Sequence, residues 1–309
     1  MRVTYGLDNF RTISCAVATA GTFDGVHLGH RKILSQLVTK AKKVGGESVL
    51  LTFTPHPRIV LQPDVKLELL SSENEKIELL KKTGLDHLII HPFTREFSRT
   101  QSLNFVRECL VNKIGVKHLV IGYDHHFGRN REGSFEHLKE FGPIYGFQVE
   151  EIEAFDIDQV NISSTKIRKA LADGQVELAN SYLGTQYPIS GTVIKGNQIG
   201  RTIGFPTANI ECDSSHKLLP KDGVYAGKLY ENSNSYYAMA NLGSRPTIGS
   251  KQRTLEVHCI GRDINIYEKK VRFDIYKHLR GIEEFANLDA LKKQLELDKN
   301  EALQALRNC

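Results

Sequence analysis

Two histidines three residues apart, His27 and His30, end a glycine-punctuated run, Gly21-Thr22-Phe23-Asp24-Gly25-Val26-His27-Leu28-Gly29-His30, which follows a short apolar stretch. Where such a run closes a strand and opens a helix, the first helical N–H groups and the positive end of the dipole gather anions. The imidazoles can then donate hydrogen bonds to phosphate oxygens, and Gly25 and Gly29 let the backbone approach a nucleotide closely. Two histidines in a first helical turn can equally be surface residues. The strand–turn–helix context and the H-x-G-H spacing favour the phosphate reading, with the whole turn as candidate cradle.

A second candidate is Ile162-Ser163-Ser164-Thr165-Lys166-Ile167-Arg168, which reads as the opening of another helix. Ser163 accounts for such a start as an N-cap. Ser164, Thr165 and Arg168 together also suit the terminal phosphates of a nucleoside triphosphate, because the Arg fork matches phosphate oxygens. Two further runs, Thr52-Phe53-Thr54-Pro55-His56-Pro57-Arg58 and residues 122–133, leave strand-like stretches at the end where open α/β sheets bind ligands. By themselves both are also compatible with ordinary proline and glycine turns.

The second half carries a different set. Residues 191–209 join a glycine-studded loop to Pro206-Thr207-Ala208-Asn209, and the spacing is not that of a Walker A loop. Thr207 and Asn209 are two apart, so on extended chain their oxygens share a face and could hold Mg²⁺ against phosphates, as a hard cation with few protein ligands prefers. Asn241-Leu242-Gly243-Ser244-Arg245-Pro246-Thr247 and Thr254-Leu255-Glu256-Val257-His258 follow. Glu256 lies between apolar neighbours and is either a charge on an outer face or a general base.

These groups need a scaffold. At 309 residues the chain exceeds the usual domain range of roughly 100–200, so two domains are expected. With 40% hydrophobic and 25% charged residues it falls among ordinary globular proteins. A net charge of +5 and a pI near 8.8 attract anions without choosing between nucleotide and nucleic acid. The absence of a block of like charges counts against a nucleic-acid arm. No apolar leader or membrane-length run is present, so a cytoplasmic protein with no membrane partner is expected. Five scattered cysteines, odd in number and never in C-x-x-C, suggest neither a disulfide framework nor zinc.

From residue 13 to about 185, strand-like runs at 13–20, 47–53, 86–91, 117–122 and 147–152 alternate with helical periodicity. The segment 29–44 stops at Gly45-Gly46, and 73–83 follows a capping box, Ser72-x-x-Glu75. This predicts an α/β domain with a doubly wound parallel sheet over 1–185. After Tyr187-Pro188, short β-rich runs at 189–195, 223–230, 236–242, 254–260 and 270–277 predict a small antiparallel barrel over 186–309. A C-terminal helix at 288–307 is expected to cover one end of it with Leu288, Leu291, Leu295, Ala302, Leu303 and Leu306.

The H-x-G-H turn and the I-S-S-T-x-I-R string resemble the two signatures of the nucleotidyltransferase superfamily. Together with residues 52–58, 122–133, the P-T-A-N tetrapeptide and the E-x-H of strand 254–260, the chain resembles the bifunctional prokaryotic riboflavin kinase/FAD synthetase family over essentially its whole length. The resemblance implies Mg²⁺-dependent phosphorylation of riboflavin by ATP, giving FMN and ADP, in the second domain. It implies adenylyl transfer from ATP to FMN, giving FAD and pyrophosphate, in the first. For the transferase it implies ATP contacts at Gly21, Thr22, Phe23, Asp24, Gly25, His27, His30, Ser164, Thr165 and Arg168, and flavin contacts at Phe53, Pro55, His56, Pro57, Asp124 and Phe127. For the kinase it implies ATP contacts at Gly191, Lys195, Arg201, Gly204, Pro206, Thr207 and Asn209, Mg²⁺ on Thr207 and Asn209, a flavin contact at Arg280, and Glu256 as base toward the ribityl hydroxyl.

FMN brings an anionic phosphate and needs no strong base, so His27, His30 and Arg168 are read as stabilising charge in the transition state and on pyrophosphate. Two departures from the family pattern concern flavin affinity more than chemistry. The chain has Ile260-Gly261-Arg262-Asp263 where an acidic, aromatic stretch is expected, and Arg280-Gly281-Ile282 with Ile282 in place of a carboxylate and Glu283 one residue on. The alternatives are a monofunctional FMN adenylyltransferase with a flavin-binding second domain, and a flavin-responsive regulatory or RNA-binding protein. The latter leaves both phosphate constellations without purpose. A monomer or weak oligomer without nucleic-acid partners is expected.

Overall fold

The computed structural model describes residues 1–122, 127–129, 132–152, 156–157, 160–195, 200, 203–244, 253–262, 264 and 266–307. Contacts divide them into two compact units, one of residues 1–67 with 76–163 and one of 68–75 with 164–309.

The first unit is built on a parallel sheet of β1 (Arg2–Tyr5), β2 (Ala16–Ala20), β3 (Glu47–Thr54), β4 (His87–Pro92), β5 (Val116–Gly122) and β6 (Gln148–Ile152), in the order β1-β4-β3-β2-β5-β6. The central strands β2 and β3 are mostly apolar and buried because both faces are covered. On one face Leu34, Leu37, Leu80 and Leu88 form a core with α1 (Leu28–Val44) and α3 (Glu73–Lys81). On the other, Val106, Leu110, Leu119 and Leu138 pack with α4 (Ser102–Asn104), the π-helical segment that continues it (Phe105–Ile114), and α5 (Phe135–Tyr145).

Five expected strands appear with ends shifted by a few residues; β1 is an addition. Its Arg-Val-Thr-Tyr sequence has no apolar run because it is an edge strand, paired only with β4 and fully buried at no position. α1 stops where Gly45 turns left-handed (φ 65°) and donates its N–H to the Ala41 and Lys42 carbonyls. The capping box forms as predicted: Ser72 N–H donates to Glu75 Oε2 at 2.9 Å and Glu75 N–H to Ser72 Oγ at 3.2 Å. A short α2 (Pro57–Leu61) follows β3, and a two-residue ladder joins β7 (Asp156–Ile157) to β8 (Val160–Asn161).

The second unit opens with α6 (Ser164–Ala172) and α7 (Val176–Leu183). A closed antiparallel barrel follows, made of β9 (Tyr187–Ile194), β10 (Ala208–Cys212), β11 (Gly223–Glu231), β12 (Asn234–Ser244), β13 (Arg253–Cys259) and β14 (Lys270–Arg280) in the order β10-β13-β12-β11-β14-β9. Alternation is clean in β9, where Tyr187, Ile189, Gly191 and Val193 point inward. β10 completes the ring beside the five runs legible as strands.

The final helix, α8 (Leu288–Arg307), has the predicted bounds. It packs on the side wall of β11, β12 and β14 rather than capping an end, because Ala226 and Met239 leave an apolar stripe on the outer face for Ala302 and Leu306. Leu288 remains 59% exposed. Among the described residues, Cys15, Cys109, Cys212 and Cys259 are free, burial pushing the Cys259 thiol up to about 12. No described helix is long and apolar enough to cross a membrane.

Candidate active sites

In the first unit the strand order reverses at β2: β3 and β4 lie to one side and β5 to the other. The crevice at such a switch point is where open α/β sheets bind ligands, and the Gly21–His30 turn leaves β2 there. The turn is contorted, with Phe23 (φ 48°), Gly25 (φ 79°) and Val26 (φ 42°) all left-handed. His27 then caps α1, its Nδ1 accepting the His30 N–H at 3.3 Å. A neutral His27 therefore carries its proton on Nε2, as a donor.

The His27 and His30 rings stack at 3.6 Å and 17°, and Phe23 packs on His30 at 4.7 Å. Gly29 is required by close approach, since a Cβ there would press on the His27 ring. His30 is part-exposed as a residue, yet its Nδ1 is sealed from solvent without a hydrogen-bond partner. Burial first, then the neighbouring His27 and Lys76 charges, hold its pKa well below the usual value. A buried imidazole nitrogen without a partner beside a helix N-terminus marks this turn as a candidate site.

Of the remaining transferase candidates, Asp24 is buried, while Gly21 and Thr22 are partly exposed at the start of the turn. His56 caps α2, accepting the Arg58 N–H at 3.1 Å, with Pro57 in the first turn after Pro55. Phe53 meets Phe93 and Phe97, each at 5.7 Å; Phe97 meets Phe105 at 6.3 Å and Phe105 meets Phe127 at 5.8 Å. The two aromatic flavin candidates are thus joined by a run of rings, although Phe127 is itself a core residue, 8% exposed. Ser164, Thr165 and Arg168 form the first turns of α6 in the second unit, where Arg168 Nε donates to the Glu68 carbonyl at 2.8 Å. Asp124 and Arg201 lie outside the described residues.

In the barrel the pairing register does the assembling. Glu256 on β13 is directly opposite Asn209 on β10 and, on its other side, opposite Asn241 on β12. Such cross-strand neighbours hold their Cβ atoms about 4.5–5.5 Å apart. Leu255 and Val257 point into the barrel, so Glu256 and His258 share the outer face with Asn209. Asn209 is 6% exposed even so. His258 Nδ1 bonds the Pro206 carbonyl at 2.8 Å, and its ring meets Phe205 at 5.1 Å.

The E-x-H pair therefore meets P-T-A-N at two points, His258 bonded to the Pro206 carbonyl and Glu256 opposite Asn209 in the strand register. A cavity of about 30 Å³ opens beside Thr207, lined also by Val193, Pro206, Val257, Arg262 and Tyr267. Among the described residues no group of three or more His, Cys, Asp or Glu is arranged for a metal. The hard oxygens of Thr207 and Asn209 nonetheless suit Mg²⁺, which takes one or two protein ligands and completes its shell with phosphates and water.

Other kinase candidates have structural roles of their own. Gly191 lies where a Cβ would collide with the Glu211 carbonyl, so it permits β9 and β10 to close. Gly204 is left-handed (φ 85°) and exposed, and Lys195 is exposed at the end of β9. Arg280 forks onto Asp298 of α8, donating from Nε at 2.9 Å and NH2 at 2.8 Å. Its guanidinium is engaged in holding α8.

Two residues beyond the sequence-derived set touch these candidates. Lys76, 9% exposed, donates from Nζ to the Thr22 carbonyl at 3.4 Å and the Thr52 hydroxyl at 3.3 Å. Its sequence signal was only a lysine beside a capping-box glutamate. His258 was visible within a motif, but its partner Pro206 is remote in sequence.

The architecture is that of a nucleotide-binding α/β unit joined to an antiparallel barrel with a carboxylate–amide cluster. A family model for FAD synthetase matches residues 11–166, and one for riboflavin kinase matches residues 183–306. Proteins described as bifunctional riboflavin kinase/FMN adenylyltransferase are similar over nearly the whole chain. That of Haemophilus influenzae is 39% identical, covering 96% of this chain and 97% of its own. That of Escherichia coli K12 is 37% identical, covering 92% and 90%. A crystal structure described as a macrolide-efflux protein from Streptococcus pneumoniae shares the fold, with TM-score 0.89 and 29% identity over 97% of this chain and 98% of that one. The chain belongs to the family of bifunctional riboflavin kinase/FMN adenylyltransferases.

Proposed function

We propose that this protein makes FAD from riboflavin in two ATP-dependent steps. The observation that carries the reading is the presence of both family models on one chain, each over a unit with its own phosphate-directed constellation. In the first step Glu256 accepts the proton of the ribityl 5′-hydroxyl as that oxygen attacks the γ-phosphorus of ATP. The bond from γ-phosphorus to the bridging oxygen breaks, leaving FMN and ADP. Mg²⁺, held by Thr207 and Asn209, supplies charge neutralisation on the phosphates when bound. His258 keeps Pro206, and so Thr207, in place for that task.

In the second step an FMN phosphate oxygen attacks the α-phosphorus of ATP and pyrophosphate leaves. His27 and His30 donate hydrogen bonds to the charge that develops, with Ser164, Thr165 and Arg168 as further phosphate contacts. Gly21, Thr22, Phe23, Asp24 and Gly25 shape the nucleotide cradle, and Phe53, Pro55, His56, Pro57, Asp124 and Phe127 form the flavin side. In the kinase, Gly191, Lys195, Arg201, Gly204 and Pro206 shape the ATP side, and Arg280 supports the flavin side through its pair with Asp298. The functional division falls near residue 185. The protein works in the cytoplasm as a monomer or weak oligomer, without nucleic acid.

Product stoichiometry tests the scheme. Riboflavin with ATP and Mg²⁺ should release one ADP per FMN, and supplied FMN should release one pyrophosphate per FAD. ATP turnover independent of flavin, or dependent on added RNA, would contradict it.

A further inference from the structure

Lys76 stands in the first unit, a residue only 9% exposed, beside the turn that leads to His27 and His30. Its helix, α3, brings it to two oxygens from different strands: the carbonyl of Thr22, just after β2, and the hydroxyl of Thr52 on β3. Thr52 Oγ1 also donates to the Thr22 carbonyl at 3.2 Å, and Gly21 N–H donates to Leu51 O at 3.0 Å. The start of the contorted turn is therefore held by three converging bonds, one of them from a cation. Desolvating an ammonium is unfavourable, and an aliphatic side chain of the same length would fill this space without that penalty.

The sealed, partnerless Nδ1 of His30 lies within electrostatic reach of Lys76, as the lowered pKa of His30 reports. A buried cation, a helix N-terminus and two stacked imidazoles thus converge on one turn. That is an environment for an anion whose charge grows during reaction.

We propose that Lys76 is a positioning residue for adenylyl transfer: its ammonium locks the Gly21–Gly25 turn through Thr22 and places a fixed positive charge behind the His27–His30 pair. The inference rests on the adenylyl-transfer reading of that pair. It adds a residue, a contact and a charge that the His-based reading does not contain. Thr22 is the mechanical link, since its carbonyl receives both the lysine and the Thr52 hydroxyl. The cation acts through the turn and through space, without contacting the reacting phosphorus.

The test uses the full chain carrying Lys76→Met, Lys76→Arg or His30→Ala, with FAD formation from supplied FMN, ATP and Mg²⁺ as readout. Riboflavin phosphorylation and melting temperature are measured on the same preparations. Lys76→Met should lower kcat for adenylyl transfer on the order of 10²-fold, with KM for FMN changed by less than about 3-fold. Lys76→Arg, which keeps the charge, should recover to within about 10-fold of the parent. Phosphorylation of riboflavin and melting temperature should be unchanged in both.

Adenylyl transfer at the parent rate in Lys76→Met would overturn the proposal. Equal losses in the Met and Arg variants, together with a lower melting temperature, would also overturn it, assigning Lys76 to packing alone. Full activity in His30→Ala would remove the reading beneath the proposal. A dead His30→Ala beside a fully active Lys76→Met would remove only the role of Lys76.

Discussion

Replacing Glu75 with glutamine removes one charge from an ion pair sealed inside the second unit. Glu75 Oε2 receives Lys217 Nζ at 2.7 Å, and the two side chains are 3% and 1% exposed. Further bonds surround the pair: Glu75 accepts the N–H groups of Ser72 and Ser190, at 2.9 and 2.8 Å, and Lys217 donates to the Leu70 carbonyl at 2.7 Å. Lys217 also lies over the Tyr187 ring at 4.1 Å. Glutamine keeps the shape but strands the ammonium without its countercharge, a change that destabilises by about 3–5 kcal/mol. For a unit of this size about 1 kcal/mol shifts the melting temperature by 2–4 °C, so Glu75→Gln should lower it by roughly 6–20 °C. Calorimetry of the full chain reads the shift directly. Adding Lys217→Met should recover much of the loss, because the stranded charge goes with it. A Glu75→Gln protein melting within about 2 °C of the parent would refute the assignment of this pair as the anchor of residues 68–75.

Acid should act on stability through histidines. His30 and His258 are both held below the usual pKa, first by burial. Both take up protons at lower pH in the fold than in the unfolded chain, whose histidines charge as pH falls below about 6.5. Stability should therefore be full above that pH and decline below it, at up to about 1.4 kcal/mol per pH unit from His30. A melting temperature constant from pH 7.5 to 5 would contradict this. His258→Ala loses the bond to the Pro206 carbonyl, and FMN formation should fall on the order of 10-fold while FAD formation from supplied FMN holds. Equal loss of both activities would count against its local role.

Much of this architecture was open to sequence reading because the signals are local. The runs of β2 to β5 are rich in apolar residues, Gly45 stops α1, and the Ser72–Glu75 box sits at the start of α3. What escaped is set by distant partners. β1 has no apolar run because it pairs on one side only, and α8 lies on the barrel wall because Ala226 and Met239 face outward there. The same division holds for the sites. His27 and His30 stand in one short motif, but the opposition of Glu256 to Asn209 comes from the β10–β13 register, and Lys76 reaches Thr22 from another helix. Arg280 shows the converse, since a motif residue proves to be engaged by Asp298.

The most direct test of two sites for two steps is a crossed assay of Glu256→Ala and His30→Ala, with riboflavin, FMN and FAD separated by chromatography over time. Glu256→Ala should form no FMN from riboflavin yet convert supplied FMN to FAD at the parent rate. His30→Ala should accumulate FMN and make FAD on the order of 10²-fold more slowly. If either substitution depresses both steps equally, the account of separate kinase and adenylyl-transfer sites is wrong.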